Sequence, residues 1–119
     1  MAEIQDRTKE YALRAIKLYR FLQQQRDGTG WILGKQYLRA ATSIGANMAE
    51  AQSGESKSDF IHKCSIAQKE ARESKYWLEL LKKAELVPTS RIAGLLAETE
   101  ELVSVITCII VRAKKNGSE

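Results

Sequence analysis

The chain has 119 residues, of which 44% are hydrophobic and 29% are charged, with a single Pro. This composition excludes a disordered or fibrous protein and predicts one helical domain over residues 1–119. The formal net charge of +4 and the pI of about 9.1 allow attraction to phosphate, but they exclude a polycationic tail.

The first two helices are predicted from the spacing of apolar residues. The first covers about residues 3–25, where only Thr8 interrupts a helical row of Ile4, Tyr11, Ala15, Leu18 and Leu22. The segment RDGTG at 26–30 has turn chemistry, so the second helix is predicted over about residues 31–52. Its apolar stripe consists of Tyr37, Ala41, Ile44, Met48 and Ala51.

The third and fourth helices are predicted in the same way. Ser56 followed by Asp59 resembles a helix cap and indicates a helix over about residues 57–85. Its stripe is the most regular in the chain and consists of Phe60, Cys64, Ala67, Ala71, Ser74, Leu78 and Leu81. Pro88 ends that pattern, and a helix over about residues 89–115 follows, with Ile92, Leu96, Leu102, Ile106, Ile109 and Ala113 as its stripe.

Short connections between amphipathic helices favour neighbours that run in opposite directions. The predicted fold is therefore all-α, an antiparallel up-down-up-down four-helix bundle. No strand pattern competes with this prediction.

The second helix has an unusual outer surface, because residues 40–49 contain no charged side chain. One arc of this helix carries Thr42, Gly45, Ala46 and Ala49, and a polar row carries Gln36, Arg39, Ser43, Asn47 and Glu50. A solvated helix face favours long charged side chains. We therefore predict a homo-oligomer interface formed by Arg39, Ser43, Gly45, Asn47 and Glu50. The alternative is that the small residues tighten packing inside the monomer.

Two rows of basic residues are candidates for contact with a phosphate backbone. The row on the first helix consists of Arg7, Arg14, Lys17 and Arg20, and the row on the third consists of Lys69, Arg72, Tyr76 and Lys83. The phenol ring of Tyr76 is suited to stacking on an unpaired base. The alternative is an ordinary solvated face, because Glu73 and Glu79 lie at helical spacing from several lysines.

No pattern indicates catalysis, a cofactor or a metal site. The single histidine, His62, lacks the second His or acid that a helical metal site would need. A di-metal bundle site requires paired Glu-x-x-His motifs, and the nearest match is Asp59 three residues before His62. The sequence predicts that the protein is not an enzyme and binds no cofactor.

Several features indicate a cytoplasmic protein that does not enter a membrane. The polar N-terminus lacks a secretory signal, and the longest apolar run, residues 103–111, is about half the length of a membrane-spanning helix. Cys64 and Cys108 fall in apolar patterns and are expected to be buried and reduced. Trp77 is expected to pack beside the core, whereas Trp31 is either a core lid or an interface anchor.

Residues 37–81 resemble a family of bacterial four-helix bundles, the 23S rRNA intervening-sequence proteins. These are relatives of the accessory variability determinant of diversity-generating retroelements. The resemblance rests on L-R-A-A-x-S-I-x-A-N-x-A-E at 38–50, on Ser58 and Phe60, and on E-x-x-Y-W-L-E-L-L at 73–81. Met48 and Ala51 depart from the family pattern, which usually has Ile and Gly there; the Ala leaves room for a longer second helix.

The resemblance implies a homo-oligomer, commonly a pentamer, that binds RNA or DNA. In the retroelement relatives it also implies contact with a reverse transcriptase. Together with the basic rows, it predicts a self-associating, non-enzymatic, nucleic-acid-binding accessory protein. The alternative is a protein–protein interaction module with no role in nucleic-acid binding.

Overall fold

The computed structural model describes residues 2–117 and forms four α-helices with no strand in that part of the chain. The helices are α1 (Ala2–Gln24), α2 (Gly28–Gln52), α3 (Lys57–Lys83) and α4 (Thr89–Gly117). The molecule measures about 53 × 20 × 20 Å, so the helices lie along one long axis. The predicted all-α class is confirmed.

Helix α2 begins at Gly28, three residues before the predicted start. The cause is Asp27, whose carboxylate Oδ1 accepts the backbone N–H of Thr29 at 2.9 Å and that of Gly30 at 3.3 Å. This N-cap compensates for the poor helix propensity of Gly28 and Gly30. At its other end, α2 stops at Gln52, so Ala51 does not extend the helix by a further turn.

The cap predicted for α3 is present, because the hydroxyl of Ser56 accepts the backbone N–H of Asp59 at 3.1 Å. The helix ends at Lys83, and Glu85 then adopts a left-handed backbone conformation with φ of 59°. The N–H of Leu86 donates to the carbonyl of Leu81, and the N–H of Glu85 to that of Lys82. These two bonds form a Schellman motif, which turns the chain toward α4.

Each helix contacts its sequence neighbours, and α1 also contacts α4. Within the described residues, no Cα atoms of α1 and α3, or of α2 and α4, come within 8 Å of each other, so these helices lie diagonally opposite and the packing fits a four-membered bundle. Small residues let α1 and α2 approach closely. A Cβ atom added at Gly34 would lie 2.8 Å from a methyl carbon of Leu22, and one added at Gly45 would lie 3.0 Å from the hydroxyl oxygen of Thr8.

The core follows the predicted stripes of the first three helices and departs from that of the fourth. Leu95 and Ile110 are buried on α4, whereas Leu96 and Ile109 are only partly buried. The face shifts because it includes a polar residue, Thr99, which is fully buried. Cys64 is buried as expected, but Cys108 is exposed because it lies outside this face, so its predicted burial is wrong.

A chain of buried hydroxyl groups crosses the centre of the bundle. The hydroxyl of Tyr37 on α2 donates to that of Tyr11 on α1 at 3.0 Å, and Tyr11 lies 2.6 Å from the hydroxyl of Thr99 on α4. Thr99 in turn donates to the carbonyl of Leu95 at 2.6 Å, so Thr99 accepts from Tyr11. Burial raises the pKa of Tyr11 and of Tyr37, which keeps both hydroxyls protonated.

We predict that Tyr11→Phe destabilises the protein more than Tyr37→Phe. Removing the Tyr11 hydroxyl leaves the buried O–H of Tyr37 without its acceptor, which costs about 2–3 kcal/mol. Removing the Tyr37 hydroxyl deletes only its hydrogen bond to Tyr11 and leaves the bond from Tyr11 to Thr99 in place, so the cost is about 1 kcal/mol. Urea unfolding followed by circular dichroism measures both free energies. An equal or larger loss for Tyr37→Phe would contradict this account.

Candidate nucleic-acid interface

Arg7, the first residue of the predicted basic row on α1, is held in an ion pair. Its Nε donates to Glu98 Oε2 at 2.7 Å and its Nη2 donates to Glu98 Oε1 at 2.9 Å, while Glu101 lies 3.5 Å from Nη2. These bonds raise the pKa of Arg7 and lower the pKa of Glu98. Because its guanidinium group is already paired with two acids, Arg7 connects α1 to α4.

The rest of the α1 row turns toward α4 and toward solvent. Arg14 is half-buried, and its guanidinium group lies 2.9 Å from the position that a Cβ atom on Gly94 would occupy. Arg14 and Lys17 line an open cleft of about 300 Å³ together with Arg91 of α4. Lys17 and Arg20 are exposed. The cleft therefore gathers cations from two helices.

The predicted row on α3 lies on the outer surface of the bundle. Lys69, Arg72, Tyr76 and Lys83 are all exposed, and the Tyr76 ring packs edge-on against Trp77 with ring centres 5.1 Å apart. Because α1 and α3 lie diagonally opposite in the bundle, the two predicted rows lie on different sides of it. The structure does not bring them together into one surface.

The polar row of α2 lies along its boundary with α3. Arg39 forms ion pairs with Glu70, at 3.3 Å, and with Glu73. Burial alone would lower the pKa of Arg39, but the attraction of the two carboxylates outweighs it and raises that pKa. Ser43 donates to the carbonyl of Arg39 at 2.7 Å, and Asn47 donates to that of Ser43 at 2.9 Å. Most of this row thus has partners inside the chain.

The small residues of α2 separate into two groups. Gly45 faces Thr8 of α1, so at this position the close approach occurs inside the monomer. Thr42, Ala46 and Ala49 are exposed, as is Glu50 at the end of the polar row. The uncharged surface that remains open to solvent is therefore made of Thr42, Ala46 and Ala49. The assignment of an oligomer interface stays a prediction.

The basic rows omitted four cations that lie near the turns: Arg26, Lys35, Lys82 and Arg91. Two of them cover aromatic rings. The Lys35 ammonium group lies 3.6 Å from the centre of the Trp31 ring, and the Arg91 guanidinium carbon lies 4.2 Å from the centre of the Phe21 ring. Trp31 is 40% exposed, which excludes the core-lid interpretation. The basic rows do not reveal this group, because its members come from two distant turns.

The structure also bears on metal binding and on membrane insertion. Among residues 2–117, no three His, Cys, Asp or Glu side chains gather into a cluster that could hold a metal ion. Within the same residues, no helix combines the length and the apolar composition that crossing a membrane requires.

Comparison with known proteins shows similarity to a protein family and to a solved structure. The family model described as 23S rRNA-intervening sequence protein matches residues 2–108. The chain is also similar to a protein with unknown function from the S23 ribosomal protein family of Bacteroides thetaiotaomicron, whose crystal structure has been determined. The two are 39% identical, the similarity covers 90% of this chain and 97% of that one, and the TM-score is 0.84. No curated protein matches.

We predict that Glu98→Gln destabilises the protein by about 1 kcal/mol at neutral pH and has little effect in acid. A carboxylate whose pKa is lowered in the folded state stabilises the fold above its unfolded-state pKa, and this stabilisation is lost as the pH falls through the folded-state pKa. Urea unfolding at a series of pH values measures the difference. Glu100→Gln is the control, because its ion pair with Lys75 is more exposed and contributes little. A difference that persists at about pH 2 would contradict the assignment.

Proposed function

Because the chain belongs to the 23S rRNA-intervening sequence protein family, as the motifs at 37–81 predicted, we propose that it is a self-associating, non-enzymatic accessory protein that binds nucleic acid. The protein from Bacteroides thetaiotaomicron has unknown function and adds no activity to this proposal. A reverse transcriptase as protein partner and a cytoplasmic location belong to the same proposal and rest on the resemblance and on composition.

The observation that supports nucleic-acid binding is that few of the cations form ion pairs within the described residues. Within the described residues, the ion pairs employ three cations, Arg7, Arg39 and Lys75. The exposed cations of the two predicted rows have no acidic partner there: Lys17, Arg20, Lys69, Arg72 and Lys83. Cations that face water without a carboxylate are available for phosphate oxygens. This supports binding to a phosphate backbone.

The direction of the helices is part of the proposal, and their contacts support an antiparallel arrangement. From one end of α3 toward the other, Gln68 bonds to Thr107 and Lys75 pairs with Glu100, so the partner positions on α4 decrease as those on α3 increase. The same relation joins α1 to α4, where Arg7 pairs with Glu98 and Arg91 lies over Phe21.

Self-association through α2 is supported by the uncharged surface of Thr42, Ala46 and Ala49. These small exposed side chains lie on one side of a helix whose opposite side is buried in the core. A partner subunit can approach such a surface closely and cover its apolar atoms. The family resemblance suggests a pentamer.

We expect Ala46→Glu to dissociate the oligomer, because the carboxylate would be buried without a partner at the subunit contact. Light scattering at micromolar concentration should give a multiple of 13.4 kDa for the unmodified protein and 13.4 kDa for the variant. Ala97→Glu is the matched control, since Ala97 is exposed on α4 and outside the proposed interface. A monomeric unmodified protein, or equal masses for all three proteins, would refute the interface.

Binding to nucleic acid should weaken steeply with salt. If about five cations contact phosphates of a single strand, the affinity should fall about 100-fold between 50 and 200 mM salt. Fluorescence anisotropy with a labelled 20-nucleotide RNA and with a DNA of the same sequence measures this dependence. Absence of binding to both probes at 50 mM salt would overturn the proposal and favour a module that binds only proteins.

A further inference from the structure

We propose that one end of the bundle, which we name the turn end, is a binding site for single-stranded nucleic acid. The turn end consists of residues 17–37 and 82–93, which include the α1–α2 and α3–α4 turns. Its cations would hold the phosphates, and the Trp31 ring would stack on a base. This inference rests on the proposed function and narrows it from two helix faces to one end of the molecule.

The two turns lie at the same end, as three contacts show. Arg91, two residues into α4, covers the ring of Phe21 near the end of α1. Leu86 of the second turn and Leu22 of α1 both lie within 4 Å of the Cβ position of Gly30 at the start of α2. Residues separated by about 60 positions in sequence thus share one surface.

The positive charge of the protein is concentrated there. The turn end contains seven Lys or Arg residues and two acids, whereas the rest of the chain contains twelve basic residues and thirteen acids. The turn end therefore carries a formal charge of +5, and the remainder carries −1. The basic residues of the turn end are Lys17, Arg20, Arg26, Lys35, Lys82, Lys83 and Arg91. A strand with one charge per phosphate would be drawn to this end.

These cations are not neutralised inside the protein. The ion pairs that join two of the described residues involve Arg7, Arg39 or Lys75, and all three lie outside the turn end. Of the two acids present, Asp27 already accepts two backbone N–H groups as the cap of α2. Surfaces that only need solubility mix the two signs of charge more evenly, whereas here seven cations face two acids, Asp27 and Glu85, one in the wall of each cleft described below.

The shape of the turn end suits a strand with splayed bases. Two open clefts indent it: one of about 410 Å³ lined by Leu22, Arg26 and Trp31, and one of about 380 Å³ lined by Phe21, Lys82 and Pro88, among others. Each cleft has an aromatic ring and a cation in its wall. A nucleotide offers a planar base and an anionic phosphate, which an aromatic ring and a cation in one cleft can contact together.

Trp31 favours a single strand over a duplex. The ring lines the first cleft, and the Lys35 ammonium group over it fixes its orientation. Bases of a duplex are already stacked on one another and offer a protein only their edges, whereas bases of a single strand can stack on an aromatic ring. The alternative is that Trp31 anchors a contact between subunits, and the experiments below distinguish this role from stacking on a base.

The first experiment compares two sets of three neutralised cations. Arg26→Gln, Lys35→Gln and Lys82→Gln remove three charges from the turn end, and Lys9→Gln, Lys57→Gln and Arg112→Gln remove three exposed charges that lie outside it and outside both basic rows. The probes are labelled 20-nucleotide single-stranded RNA and DNA, at 50 mM salt. We expect the turn-end variant to bind at least about 30-fold more weakly and the control set to bind within about 3-fold of the unmodified protein. Equal losses would overturn the site.

The second experiment tests stacking. Trp31→Ala should weaken binding of the single strand about 10-fold and leave binding of a duplex of the same sequence unchanged, and Trp31→Phe should restore most of the loss. In a Trp77→Phe background, Trp31 is the one tryptophan left, and saturable quenching of its fluorescence by the single strand is expected. Equal losses for the single strand and the duplex, or no quenching, would overturn the stacking role.

Two controls separate binding from folding and assembly. Arg26→Gly removes a cation without straining the turn, because Arg26 has a left-handed backbone conformation with φ of 55°, which Gly adopts readily. Weaker binding by this variant is therefore attributed to the lost charge. The mass of each variant is measured by light scattering, and a fall in mass for Trp31→Ala would instead identify this residue as an interface anchor. If the unmodified protein binds neither probe, the proposed function itself fails, which is a different result from equal losses in the two charge variants.

Discussion

The buried hydroxyl chain from Tyr37 through Tyr11 to Thr99 determines how the helices are aligned along the long axis. Apolar packing is non-directional, and a bundle whose stripes consist of Ala, Leu and Ile could slide by one helical turn of about 5.4 Å at little loss of buried area. Such a slide would break the bonds from Tyr37 to Tyr11 and from Tyr11 to Thr99 and leave buried tyrosine hydroxyls without partners, which costs several kcal/mol. In the described chain no buried polar side-chain atom lacks a partner. The alignment of α1, α2 and α4 therefore depends on the hydrogen bonds between these hydroxyl groups.

That alignment decides which acids are used inside the bundle. Glu98 precedes Thr99 on α4, so the bond that places Thr99 against Tyr11 also places Glu98 against Arg7, one turn earlier on α1. At the same height, Arg39 of α2 meets two carboxylates of α3. The middle of the molecule thus pairs its acids with cations from neighbouring helices, and its surface there is close to neutral. Near the α1–α2 and α3–α4 turns acids are few, and the cations there form no ion pair with a described carboxylate.

The sequence was sufficient for the helices and for most of the core, because a helical period is a local property. Tyr37, Ile44 and Leu78 are buried where the spacing placed them. It failed where two distant segments meet. The shift of the α4 face toward Leu95 depends on the partner that makes burial of Thr99 favourable, and that partner is Tyr11, 88 positions away. Likewise, a helical period does not reveal that Arg39 of α2 pairs with two carboxylates of α3.

Because a helical period is a local property, it predicts basic rows on helix faces and does not predict a group of cations at one end of the bundle. A side face of a four-membered bundle exposes at most two neighbouring helices. Because α1 and α3 are not neighbours, the basic row of α1 and that of α3 cannot combine on one side face. An end of the bundle exposes all four helices and both turns that close it. Arg26 of the α1–α2 turn and Arg91 of α4 lie at one such end. A bundle of this topology that binds an extended anion with residues from every helix has to do so at one of its ends.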